Sequence, residues 1–272
     1  MIFNKLLIII IVLIVLIISN YEFINNSVKH SKDLIISYIG ANFLNINRCK
    51  KYKGDLDICK VVNHKYIINT KDTIISASLK LGMYWEEFLH KYFKMYKNKK
   101  LNCLDIGANI GTHSIYLSSL FKNVYAFEPQ KRIFKILKLN KKLNKCNNLK
   151  LFNNGLGEGE YTIKMQCYDK NKKKNMGGIG IVKKNGCEKI NVKKLDSYKF
   201  KDIGLIKIDV EGYELNVFKG GIKTLKKWKP IILFEEHNIN SKVFKFLRSL
   251  NYEIRKLSIA NDYIAIQKKY IQ

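Results

Sequence analysis

The chain has 272 residues, 47% hydrophobic and 12% aromatic with only two prolines, which excludes a disordered, collagen-like or linker-dominated protein. Its length suits one large domain or two small ones, able to bury a core without staples. Fifty Lys and Arg against 22 Asp and Glu give a formal charge of +28, an excess that attracts polyanions, although the lysines are spread among Asn and Ile as AT-rich coding alone would spread them.

From Leu6 to Ile18 no polar side chain interrupts the sequence, and Asn4 and Lys5 are the only breaks before it. Spanning a bilayer takes about 20 apolar residues, a length Lys5 can reach by snorkelling and Tyr21, Phe23 and Ile24 can extend. Ser19 and Asn20 make a poor cleavage site. Residues 1–24 are therefore expected to be an uncleaved signal anchor, a single-pass transmembrane helix of unassigned sidedness. A cleaved signal and a buried helix are the alternatives. Residues 25–60, rich in Asn and Lys, read as a stalk, and residues 61–272 as the folded domain.

Within that domain residues 65–69 predict a strand, and residues 73–96 carry Ile75, Leu79, Trp85, Leu89 and Phe93 near helical spacing. Strand and helix then alternate: strands at 101–106, 123–127, 149–152, 205–208 and 231–234, helices at 111–120, 131–143, 215–225 and 241–250. A hairpin-like region covers 161–165 and 179–182, and the chain ends in an antiparallel pair, 252–257 with 263–267. Strands apolar on both faces and separated by helices imply a mostly parallel sheet with helices on both faces, an α/β fold of Rossmann-like architecture. Six cysteines lack C-x-x-C spacing, so no zinc site is expected. A Cys49–Cys59 bridge is open to the chain in an oxidising compartment.

Chemistry concentrates at strand ends. Leu104-Asp105-Ile106-Gly107-Ala108-Asn109-Ile110-Gly111 is a strand, a turn and a helix start. A nicotinamide-binding turn needs G-x-G-x-x-G, and Asn109 and Thr112 occupy two of its glycine positions. The acid-x-Gly-x-x-x-Gly pattern suits a cationic ligand, with Gly107 allowing close backbone approach and Gly111 the packing of the helix start. S-adenosylmethionine carries both an ammonium and a sulfonium. Glu128, ending the next strand before Pro129, can accept both hydroxyl hydrogens of a ribose.

With these residues the chain resembles the FkbM family of class I methyltransferases, over about Tyr66 to Lys268. The resemblance extends through Asn153-Asn154-Gly155-Leu156-Gly157 and Leu195-Asp196. It is most distinctive in Ile206-Lys207-Ile208-Asp209-Val210-Glu211-Gly212-Tyr213-Glu214 and continues to Pro230 and Glu235. It implies a seven-stranded sheet with its last strand antiparallel, and S-adenosylmethionine as cofactor over the carboxyl ends of the first strands. Asp105, Gly107 and Asn109, in the turn that Gly111 closes, would surround the methionine part, Glu128 the ribose, and Gly155–Leu156 the adenine. The implied function is O-methylation of a sugar, glycan or other small hydroxyl-bearing acceptor.

Asp209 and Glu211 are the catalytic candidates, Asp209 foremost, because a hydroxyl acceptor must lose its proton. The bland reading is that Glu211 and Gly212 shape the turn and cap the following helix. Glu235, Glu236 and His237 form a second cluster; strand-end carboxylates usually line a polar cleft without metal, and no metal is assigned. Lysines of the 168–186 loop would suit an acidic partner or simply be solvated. The rival functions are RNA methylation, drawn from the +28 charge, and a catalytically inactive, membrane-tethered cofactor-binding protein.

Overall fold

The computed structural model describes residues 48–166, 175, 181–182, 186–238, 241–257 and 261–270. The anchor expected over residues 1–24, most of the stalk and the loop lysines Lys170, Lys172, Lys173, Lys174, Lys183 and Lys184 lie outside them. Among the described residues no helix is long and apolar enough to cross a membrane.

The folded region begins earlier than the sequence implies. Residues expected to end a stalk instead form β1 (Cys49–Lys53) and β2 (Leu56–Val61), which with β3 (His64–Asn69) make a three-stranded antiparallel sheet. Cys49 and Cys59 face each other in the β1–β2 register and are joined by a disulfide. Short, lysine-rich β1 is exposed along most of its length, so its apolar signal is weak. The 73–96 segment is two helices, α1 (Ile75–Lys80) and α2 (Leu89–Met95), not one. The turn between them carries Glu86, at φ 50°, to the domain interior.

The main sheet holds β4 (Asn102–Ile106), β5 (Val124–Phe127), β6 (Leu149–Phe152), β11 (Ile203–Ile208), β12 (Ile231–Glu235), β13 (Tyr252–Lys256) and β14 (Asp262–Gln267). Its order is β13-β14-β12-β11-β4-β5-β6. The five strands from β6 to β12 are mutually parallel, and β14 runs antiparallel to both β12 and β13. This is a mixed seven-stranded α/β sheet: its parallel part follows the alternation, and its strand number and antiparallel final strand follow what the resemblance implied.

Alternation along each strand sorts the core into two layers. Cys103, Val124, Leu205 and Leu233 face a layer built with α1, α2, α3 (Thr112–Ser118) and α4 (Lys131–Leu143). Leu104, Ile206, Ile232 and Phe234 face the opposite layer, built with α5 (Glu214–Gly220), α6 (Ile222–Trp228) and α7 (Lys242–Ser249). The predicted 215–225 helix is thus α5 and α6, broken at Gly220–Gly221. On α4, Ile133, Ile136, Leu137 and Asn140 form the buried stripe expected at helical spacing. Asn140 bonds both backbone groups of Ile67 and the Ile110 carbonyl, and so fastens the small sheet to the turn after β4.

Two further strands carried too little pattern to be read. β7 (Gly155–Leu156) and β10 (Glu188–Lys193) join β8 (Tyr161–Met165) and β9 (Ile181–Val182) in a sheet ordered β7-β10-β8-β9.

Candidate functional site

The carboxyl ends of β4 and β5 build the first half of the site. Gly107 and Ala108 both donate their amides to the Phe127 carbonyl, at 3.0 and 2.9 Å, which locks the turn to β5. Gly107 sits at φ 82°, and a Cβ there would lie 1.8 Å from the Asp209 carbonyl oxygen. Protein backbone thus makes a close approach of its own at Gly107, on the side where a Cβ would point. Gly111 is left-handed too, and packs against Leu137 of α4, a helix, where packing on the sheet was expected. Gly107→Ala is expected to cost roughly 3 kcal/mol, combining left-handed strain with an overlap that only backbone movement relieves; a urea midpoint equal to wild type would contradict this.

Asn109, also left-handed, donates its amide to Glu128 Oε2 at 3.0 Å, while Gln130 donates to Glu128 Oε1 at 2.8 Å. Asn153 Nδ2 donates to the Glu128 and Pro129 carbonyls and holds the turn from the β6 side. Burial pushes Glu128 up to about 7, against the opposing pull of the Gln130 and Asn109 amides. Each carboxylate oxygen keeps a lone pair, so Glu128 retains the two acceptors that a ribose diol needs.

Asp105 is fully buried on β4. Its Oδ2 accepts from the Ser114 hydroxyl, and its Oδ1 has no hydrogen-bond partner among the described residues. A buried acceptor without a donor is costly, and a cationic ligand would supply one. The structure thus brings Asp105, Gly107, Asn109, Gly111 and Glu128 to one corner. Gly155 and Leu156 pair with β10, and Leu156 is packed in the second core layer.

The second half adjoins the first across the β4–β11 pair. Lys207, in register with Asp105, is buried on the same face of the sheet. Its Nζ lies 3.4 Å from Asp209 Oδ2. Burial works against this ammonium, but Asp209, Asp105 and Glu86 outweigh it and hold its pKa above the usual lysine value. Sequence reasoning gave Lys207 no role; a lysine inside an apolar strand was the available signal. Glu214 supplies the cap sought at Glu211, with Oε1 accepting from the Val210 and Gly212 amides at 3.1 and 3.3 Å. Glu211, at φ 54°, is pushed up to about 7 by desolvation and then by Asp209, Glu235 and Glu214.

His113 is buried on α3 with Nε2 3.0 Å from Glu86 Oε2. Burial lowers it to about 3, so it is neutral at physiological pH and meets Glu86 as a hydrogen-bonded imidazole rather than as an ion pair. At the end of β12, His237 Nδ1 accepts from Asn261 and its Nε2 faces Glu235 at 3.4 Å, whereas Glu236 caps the Asn238 amide of its own loop. Among the described residues no group of three His, Cys, Asp or Glu side chains is arranged to hold a metal.

These buried acids set the pH dependence of folding. Asp262, at the start of β14, is pushed up to about 8 by burial, then by Glu86 and Glu235, and Glu128 to about 7. A carboxyl whose folded pKa is raised stabilises fully below its unfolded pKa and loses that contribution as pH rises through the folded value. The ligand-free protein is therefore expected to lose about 3–4 kcal/mol between pH 6 and pH 8. His113 acts in the opposite sense below its ordinary pKa, so stability also falls toward acid. Urea unfolding at pH 5, 6, 7 and 8 checks this, and a flat profile from 6 to 8 would contradict it.

Residues 105–258 match the methyltransferase FkbM domain family. No curated protein sequence matches. Among solved structures the chain is similar to an FkbM methyltransferase from Methylobacillus flagellatus, with 17% identity and TM-score 0.46 over 62% of this chain and 44% of that one. It thus spans less than half of that protein's length. It is also similar to an rRNA methylase from Streptococcus thermophilus (12%, TM-score 0.44, 65% and 92%). A precorrin-6Y C5,15-methyltransferase from Geobacter metallireducens is a third (15%, TM-score 0.45, 67% and 89%).

Proposed function

The chain belongs to the FkbM methyltransferase family, and from that premise we propose that it transfers a methyl group from S-adenosylmethionine to a hydroxyl of a sugar, glycan or other small acceptor. The observation that carries this reading is the juxtaposition of two carboxylate sites along one sheet edge. Asp105 and Glu128 end β4 and β5, with acceptor lone pairs left over. Asp209 and Glu235 end β11 and β12 next door.

Bound S-adenosylmethionine supplies an electrophilic methyl on a sulfonium; the acceptor oxygen bonds to that carbon as the carbon–sulfur bond breaks, its electron pair returning to sulfur. The chain's own part is alignment and proton transfer. Glu128 fixes the ribose, Asp105 offers Oδ1 to the ligand's ammonium, and Asp209 takes the hydroxyl proton. Lys207 Nζ holds the Asp209 carboxylate in place through the ion pair. We further propose that residues 1–24 tether the enzyme to a membrane.

A radiolabelled-methyl screen over sugar, glycan, lipid and RNA fractions tests the reading. Label is expected in the sugar or glycan fraction and to resist removal under conditions that cleave methyl esters. Label confined to RNA, with steeply salt-dependent RNA affinity, would favour the second reading that the +28 charge supports. Cofactor binding without label anywhere would favour an inactive relative.

A further inference from the structure

Between the ends of β11 and β12 and the start of β14 lies a small cavity of about 10 Å3, room for one water or one ammonium group. Four carboxylates line it, Glu86, Asp209, Glu235 and Asp262, against the single ammonium of Lys207. Three of the four are engaged: Asp209 with Lys207, Glu86 with His113, and Glu235 with His237. Asp262 is not. It is only 8% exposed, and its side chain accepts no hydrogen bond from the described residues. A buried carboxyl that lines a cavity among other acids is a place for a cation, whose arrival would ionise it and form an ion pair.

We propose that Asp262 receives an ammonium group of the acceptor, so that the substrate is an amino-bearing hydroxyl compound of the amino-sugar class, methylated on oxygen. This rests on the hydroxyl-acceptor reading above and narrows it. Carboxylates around an amine favour its charged form. A protonated amine has no lone pair with which to attack a sulfonium, so the amine is a handle and the neighbouring hydroxyl is the nucleophile. Asp209 lines the same cavity, which puts the base within one small molecule's length of the handle. Phosphorylated or carboxylated acceptors would meet the acidic wall and be repelled.

Docking also moves a proton. Within the cavity Asp262 faces Glu86 from the turn before α2, Lys207 and Asp209 from β11, and Glu235 from β12; His113 on α3 lies behind Glu86 and His237 behind Glu235. Burial and the surrounding acids keep Asp262 protonated up to about pH 8. An arriving ammonium ionises it, and the carboxyl proton leaves to solvent as the ion pair forms.

The test uses the full chain loaded with S-adenosylhomocysteine. It is titrated at pH 7 with glucosamine and with ethanolamine, each beside its neutral counterpart, glucose and ethylene glycol, in two buffers of different ionisation heat. The amines are expected to bind at least tenfold more tightly than the neutral compounds, releasing about one proton per site. Asp262→Asn should abolish both the preference and the proton release while S-adenosylhomocysteine still binds. Glu235→Gln, with less effect on the buried core, should weaken the preference severalfold. Amines that bind no better than the neutral compounds, or a preference that survives both substitutions, would overturn the inference. Failure to bind S-adenosylhomocysteine at the first step would overturn the methyltransferase reading instead.

Discussion

Asp209→Asn is expected to lower turnover by about 10²–10⁴-fold, the usual worth of general-base assistance, while leaving cofactor affinity within about twofold of wild type. The amide preserves the shape of the side chain and can still accept from Lys207 Nζ, now 3.4 Å from Oδ2. It cannot take a proton from the acceptor. Glu211→Gln separates the two candidates. Glu211 is already pushed up to about 7 and sits within the turn that Glu214 caps, so its loss should change the rate by less than about tenfold and mainly alter the acid limb of the pH profile. A fully active Asp209→Asn protein would remove Asp209 from the role of base.

The second large effect belongs to Glu128. Two hydrogen bonds from a ribose to an ionised carboxylate contribute about 1.5–3 kcal/mol each, so Glu128→Gln should weaken S-adenosylmethionine binding by about 100-fold or more. The substitution also leaves one of the Asn109 and Gln130 amides facing an NH2 group, so a drop in melting temperature should accompany it. A pH series isolates the binding role. In the ligand-free protein Glu128 titrates near 7, and only its ionised form accepts both hydroxyl hydrogens. Wild-type affinity should therefore fall about tenfold per pH unit below 7, and the Gln variant should lose that dependence. A Gln variant with the same pH slope would place the ribose elsewhere.

Much of the parallel sheet could be read from sequence because its strands are buried on both faces. Runs such as Leu104 to Ile106 and Ile206 to Ile208 have no other use for so many apolar side chains, and α4 showed its stripe at Ile133, Ile136 and Leu137. Short, exposed or two-residue strands were not legible. β1 is mostly lysine on a solvated face, and β7 exists only because β10 pairs with it.

At the site, the strand-end acids were legible as charged residues punctuating apolar runs. What each one touches was not. Glu86 reaches the acidic corner through a left-handed residue in the break between α1 and α2, which helical spacing hid. Asp262 reaches it from the far end of the chain, by the antiparallel insertion of β14 next to β12. Sequence also could not show that the Asp209 carbonyl packs where a Cβ on Gly107 would stand.

Calorimetric titration of the full chain with S-adenosylmethionine and S-adenosylhomocysteine bears most directly on the whole account. A single site is predicted for each, with affinity that declines as pH drops below 7, and a Glu128→Gln site about 100-fold weaker that no longer shows this decline. A well-folded protein giving no heat with either compound would contradict it.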